Sequence, residues 1–109
     1  METPVDVAAK INTISKDLTA EAKKLDELNN ANAIAQMEYD KGIGVSEARH
    51  KGAGMPVTLI KAQAKKDCAD LLYIRIIAEG QLKACYSNIE RMKSQLNAQQ
   101  SIYKHLSVT

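Results

Sequence analysis

Apolar residues recur along this chain at spacings of three and four, in two long runs separated by a short interruption. In the first run Val7, Ile11, Ile14, Leu18, Leu25, Leu28, Ala35 and Tyr39 fall on alternating d and a positions of one heptad frame. That period marks a helix packed along a partner helix. Two frame positions are polar. Glu21 takes a d position, where the neighbouring Ala22 is expected to cover the seam, and Asn32 takes an a position, where a polar residue fixes register or oligomer state. Pro4 followed by Asp6 predicts the start, because proline is tolerated in a first turn and an acid there suits the helix dipole. Gly42 and Gly44 then each cost a helix about 1 kcal/mol relative to alanine, but "VSEARHK" (45–51) is helix-compatible again. The pattern predicts one helix from about 5 to 50, weakened or kinked at 42–44.

"KGAGMP" (51–56) ends that helix: Gly52 or Gly54 can take the left-handed C-cap conformation, and Pro56 pushes Met55 out of the α region. Thr58 is placed to cap a short new helix in "LIKAQAKK". From about 67 the second run holds phase without a slip through Cys68, Leu71, Arg75, Ala78, Leu82, Cys85, Ile89, Met92, Leu96, Gln99, Tyr103 and Leu106. Only Arg75 and Gln99 are polar in it. A buried Arg75 demands a partner, for which Glu38 or Asp40 on the opposing helix are candidates; otherwise its head sits at the seam edge. Two long amphipathic helices joined by a short turn make an antiparallel hairpin. Residues 71–78 are apolar on more than one face, so either the segment 57–64 folds over them or a second chain does.

The predicted architecture is therefore an all-α, coiled-coil-like antiparallel helical hairpin: a single helical domain over 1–109, with helices at about 5–50 and 67–106 and a turn with a short helical segment at 51–66. Composition supports it. With 45% apolar residues but no Trp, no Phe and four Tyr, the core is one of small aliphatic side chains suited to thin helix-on-helix packing. At 109 residues a single chain buries a limited fraction of its surface, and dimerisation into a four-helix bundle is expected. No apolar run approaches the ~20 residues of a membrane span, and no signal peptide is evident. Cys68 and Cys85 read as free thiols: on one helix their 17-residue separation is about 25 Å, beyond disulfide reach.

Charge singles out the turn. Residues 49–66 carry five positive charges and no acid, while the remaining ten positive and thirteen negative charges net −3. Arg49, His50, Lys51, Lys61, Lys65 and Lys66 are thus candidate nucleic-acid contacts, because lysine and arginine on an exposed loop neutralise phosphates. No aromatic interleaves them, which argues against base stacking. The bland alternative is a solvated hairpin end, with Lys65 and Lys66 pairing to Asp67, Asp70 or Glu47. A second candidate surface, for protein partners, is the apolar patch Leu72, Ile74, Ile76 and Ile77. Nothing points to an enzyme. "GIG" and "GAG" lack the strand and the GK[ST] of a phosphate loop, His50 and His105 belong to opposite ends of a hairpin, no Cys–His set has zinc-ligand spacing, and no Ser–His–acid set converges. No metal, cofactor or small-molecule substrate is expected.

"GMPVTLI" (54–60), followed by Arg75, Ala78 and Glu79 and then Lys83, Ala84, Ile89, Lys93 and a Gln near 99–100, resembles a family of small helical proteins encoded by bacteriophages and prophages of Gram-positive bacteria. In these a Gly-Met-Pro-x-Thr-Leu-Ile stretch follows a charged helix and Arg-x-x-Ala-Glu lies on the next. The resemblance spans roughly residues 35–102; Cys85 and the Gly42/Gly44 pair depart from the pattern. It implies a phage product in the cytoplasm of a bacterial host, and brings no catalytic residues. Three functions are consistent with the whole: binding of nucleic acid or a nucleic-acid enzyme through the basic tip, binding of a host or phage protein through the apolar patch, or a structural role in the virion or its assembly.

Overall fold

A computed structural model describes residues 2–108 of the chain. They form three helices, α1 (Pro4–Gly52), α2 (Val57–Asp67) and α3 (Ala69–Val108), and no strand occurs among the described residues. Helix α1 starts at a reciprocal cap: Thr3 Oγ1 accepts from the Asp6 amide at 3.2 Å and the Asp6 carboxylate accepts from the Thr3 amide at 3.1 Å. This is a capping box with aspartate in place of glutamate, and Pro4 takes the first helical position, where its missing N–H costs nothing. No break follows at Gly42–Gly44; α1 is helical throughout. It ends in a Schellman motif. The Met55 amide donates to the His50 carbonyl and the Gly54 amide to the Lys51 carbonyl, with Gly54 itself at φ 85°.

Helix α2 begins at Val57 after an extended Pro56 (φ −57°, ψ 135°) and has no side-chain cap. Thr58 therefore lies inside the first turn and does not cap it. α2 runs almost directly into α3. Cys68 leaves the helical path at φ −101°, ψ 18°, yet its amide donates to Ala64 and its carbonyl accepts from Leu72, so the backbone ladder continues across the junction. α2 is thus the first segment of the returning arm. Its continuous ladder with α3 carries it away from residues 71–78; Ile60 and Ala64 are its buried residues, and Val57, Ile60 and Lys61 share a groove with Gly44, Glu47, Ala48 and Lys51 of α1.

The contacts form two compact units, the chain up to Glu27 with the chain from Lys83 onward, and Leu28–Leu82. In the first unit Val7, Cys85 and Ile89 are buried. Glu21 occupies its seam position itself, half-buried, while Ala22 is exposed and covers nothing. The Glu21 carboxylate accepts from Asn88 Nδ2 at 3.2 Å, and its carbonyl receives the Cys85 thiol at 3.5 Å. The bond from Asn88 holds the Glu21 carboxyl below its usual range, and burial pushes the Cys85 thiol up. Tyr103, assigned to the seam by its spacing, is 39% exposed.

In the second unit the arms run antiparallel, because partners fall along the returning arm as α1 advances. Tyr39 meets Arg75, Gly42 meets Leu71 and Cys68, and Ser46 meets Asp67. The seam continues past Tyr39 through Gly42 and Ser46 with the same three-and-four step. Ala35, Ser46, Ala64, Cys68 and Ala78 are its buried members, and small residues there let the helices approach closely. Both units show the arrangement of an all-α helical hairpin. Cys68 and Cys85 are buried and free.

Candidate functional site at the hairpin turn

Around the turn, one carboxylate organises the surrounding polar groups. Asp67 ends α2, and its Oδ2 accepts from Ser46 Oγ at 2.8 Å, from Arg49 Nη2 at 3.1 Å and from His50 Nε2 at 2.6 Å; Oδ1 accepts from Gln63 Nε2 at 2.9 Å. An ionised carboxylate only accepts, so His50 must present Nε2–H to it. These donors, His50 first, then Ser46 and Gln63, hold the Asp67 carboxyl far below the usual carboxylate range. The local sequence explains the convergence. Ser46, Arg49 and His50 lie on one face of the last turns of α1 at spacings of three and four, and Gln63 precedes Asp67 by one helical turn.

This node divides the six basic candidates. Arg49 and His50 both bond to Asp67 and so tie α1 to α2, with His50 half-buried and the Arg49 side chain still 67% exposed. Lys51, Lys61, Lys65 and Lys66 are exposed, and among the described residues none of them pairs with an acid. The anticipated pairing of Lys65 or Lys66 with Asp67 is replaced by the four donors above. Lys51 from α1 and Lys61 from α2 border one groove, which also takes in Glu47. The clustering of cations is therefore built from both arms.

Arg75 finds neither Glu38 nor Asp40. Its guanidinium lies 4.7 Å from the centroid of the Tyr39 ring, half-buried in a cation–π contact that satisfies the charge without a buried acid. Of the four apolar-patch residues, Leu72 is half-buried, and Ile74, Ile76 and Ile77 are 51%, 55% and 44% exposed. No group of three or more His, Cys, Asp or Glu side chains is arranged to hold a metal among the described residues, and no helix there is long and apolar enough to cross a membrane. His50 belongs to the second unit and His105 to the first. Ser46 and Asp67 escape a reading by spacing because they are 21 residues apart; the available signal is that Ser46 lies seven residues beyond the seam residue Tyr39.

Comparison of the chain with protein-family models, with curated proteins and with solved structures finds no match.

Proposed function

We propose that this chain is a non-enzymatic phage accessory protein of the bacterial cytoplasm that acts by binding, with nucleic acid or a nucleic-acid-processing enzyme as its target and the basic turn as its contact. The observation that carries this is the state of the four lysines. Lys51, Lys61, Lys65 and Lys66 are exposed and unpaired around one turn among the described residues, Asp67 is already occupied by four internal donors, and the half-buried Glu47 in the Lys51–Lys61 groove bonds to none of them. An unneutralised cluster of this kind attracts phosphates by releasing condensed counterions. The resemblance carried by "GMPVTLI" supports the phage context.

The test is fluorescence anisotropy of a labelled short duplex titrated with protein at several salt concentrations. If all four lysines contact phosphate, log K falls against log salt with a slope of about −3.6 per chain, from roughly −0.9 per phosphate contact. Binding that does not respond to salt contradicts the phosphate reading. The three exposed isoleucines favour a second reading, a protein partner held by Ile74, Ile76 and Ile77; such binding survives added salt.

A further inference from the structure

The exposed side chains beside the Tyr39–Arg75 contact form a self-complementary pattern. Within the second unit the seam residues of α1 include Ala35, Tyr39, Gly42 and Ser46, and those of the returning arm include Leu71, Arg75, Ala78 and Leu82. The residue just before each seam residue lies on one flank. In an antiparallel pair these preceding flanks of the two helices face the same side. Glu38, Lys41 and Val45 share a groove with Asp67, the residue just before Cys68 on the returning arm, so the preceding flanks lie side by side there.

On α1 this flank reads Ile34, Glu38, Lys41, Val45, and on α3 it reads Asp70, Ile74, Ile77, Gln81; all eight are exposed. Each set is a palindrome in chemistry. Reversing the α1 set puts isoleucine against valine and acid against base, with its centre between Tyr39 and Asp40. Reversing the α3 set puts isoleucine against isoleucine and aspartate against glutamine, with its centre between Arg75 and Ile76. The Arg75–Tyr39 contact places the two centres at the same level of the hairpin. A single two-fold axis crossing both helices at that level therefore satisfies both sets at once, as an isologous interface requires.

We infer that this face docks a second copy of the chain, with α1 antiparallel to the partner's α1 and α3 antiparallel to the partner's α3, in a four-helix arrangement centred on the Tyr39–Arg75 level. Ile34 packs on the partner's Val45 and Ile74 on the partner's Ile77. Glu38 pairs with the partner's Lys41, and Asp70 accepts from the amide of the partner's Gln81. Glu38 and Lys41 have no ion pair within their own chain among the described residues, so both charges are free for this exchange. A foreign partner would not require the pattern to be its own reverse. Only four apolar side chains per copy enter, so the dimer is weak, with a Kd on the order of 10 μM.

Sedimentation equilibrium of the full chain tests this with three variants. The double variant I74E/I77E is expected to be monomeric at ~100 μM with unchanged far-ultraviolet helicity, since both positions are exposed. E38K sets lysine against the partner's Lys41 twice and is expected to raise Kd about tenfold. E38K/K41E restores opposite charges across the axis and is expected to return Kd to within about threefold of wild type. The charge pair does not depend on the isoleucine variant folding. A wild-type chain that stays monomeric at ~100 μM overturns the inference and leaves the face to a foreign partner. So does a dimer unaffected by folded I74E/I77E, or an E38K defect that K41E fails to repair.

Discussion

Two glycines two residues apart on the same helix do different work. A Cβ built on Gly42 would lie 2.6 Å from Leu71 Cδ1 and 3.4 Å from Cys68 Sγ, whereas one on Gly44 would meet nothing within 4 Å. Both glycines forfeit about 1 kcal/mol of helix propensity, but only Gly42 returns something, the close approach of α1 to the seam of the returning arm. G44A is therefore expected to stabilise the chain by up to about 1 kcal/mol, and G42A to fall short of that by about 1 kcal/mol because Leu71 must move. Urea denaturation of the two variants decides it; equal gains would mean the contact at Gly42 is slack. Asp67 is the second residue with a distinct signature. Its carboxyl is held below its unfolded value, so its contribution is fully present above about pH 4 and is lost as pH falls through the lowered folded value. D67N is expected to lower the melting temperature at neutral pH and to flatten its decline in acid. A melting curve with the same acid dependence as wild type would show that the Ser46–Arg49–His50–Gln63 cradle does not stabilise the fold.

Each helix boundary has a local cause, and these causes differ in how plainly the sequence displays them. The start of α1 is written in four consecutive residues, Thr3-Pro-Val-Asp6, and the stop in Gly54 and Pro56. T3A removes one arm of the capping box and is expected to cost about 1 kcal/mol of helix stability, read as faster hydrogen exchange of the amides in the first turn of α1; unchanged exchange there would deny the cap its role. The apolar period predicts both long helices, but it fades after Tyr39, because the next two seam residues, Gly42 and Ser46, are not apolar and an apolar count does not see them. Continuity through 42–44 rests on packing, where a close contact offsets a poor propensity. The α2–α3 junction has no punctuation at all. Cys68 is neither glycine nor proline, and the kink there accompanies the bonds that tie Asp67 to α1. Long-range side-chain choices were the least legible. Arg75 called for a partner on spacing alone, but the choice of the Tyr39 ring over a carboxylate depends on which seam residues lie level across the hairpin.

At the scale of the molecule, the functional reading rests on two surfaces of the second unit, the basic turn and the face beside the Tyr39–Arg75 level. Of the basic residues grouped between 49 and 66, one arginine and one histidine bond to Asp67, and four exposed lysines pair with no acid among the described residues. The face beside the Tyr39–Arg75 level carries a pattern that its own copy complements. Combined, the two proposals describe an antiparallel dimer that carries its two basic turns on opposite sides of the two-fold axis. The measurement that bears on this most directly is the mass in solution by light scattering, with and without a short duplex at low salt, for wild type and for K61E/K65E/K66E. Wild type is expected to gain the mass of the duplex, and the triple variant to keep its own mass and helicity but bind no DNA. A wild-type mass indifferent to the duplex, or a triple variant that binds as well as wild type, would contradict the basic-turn reading.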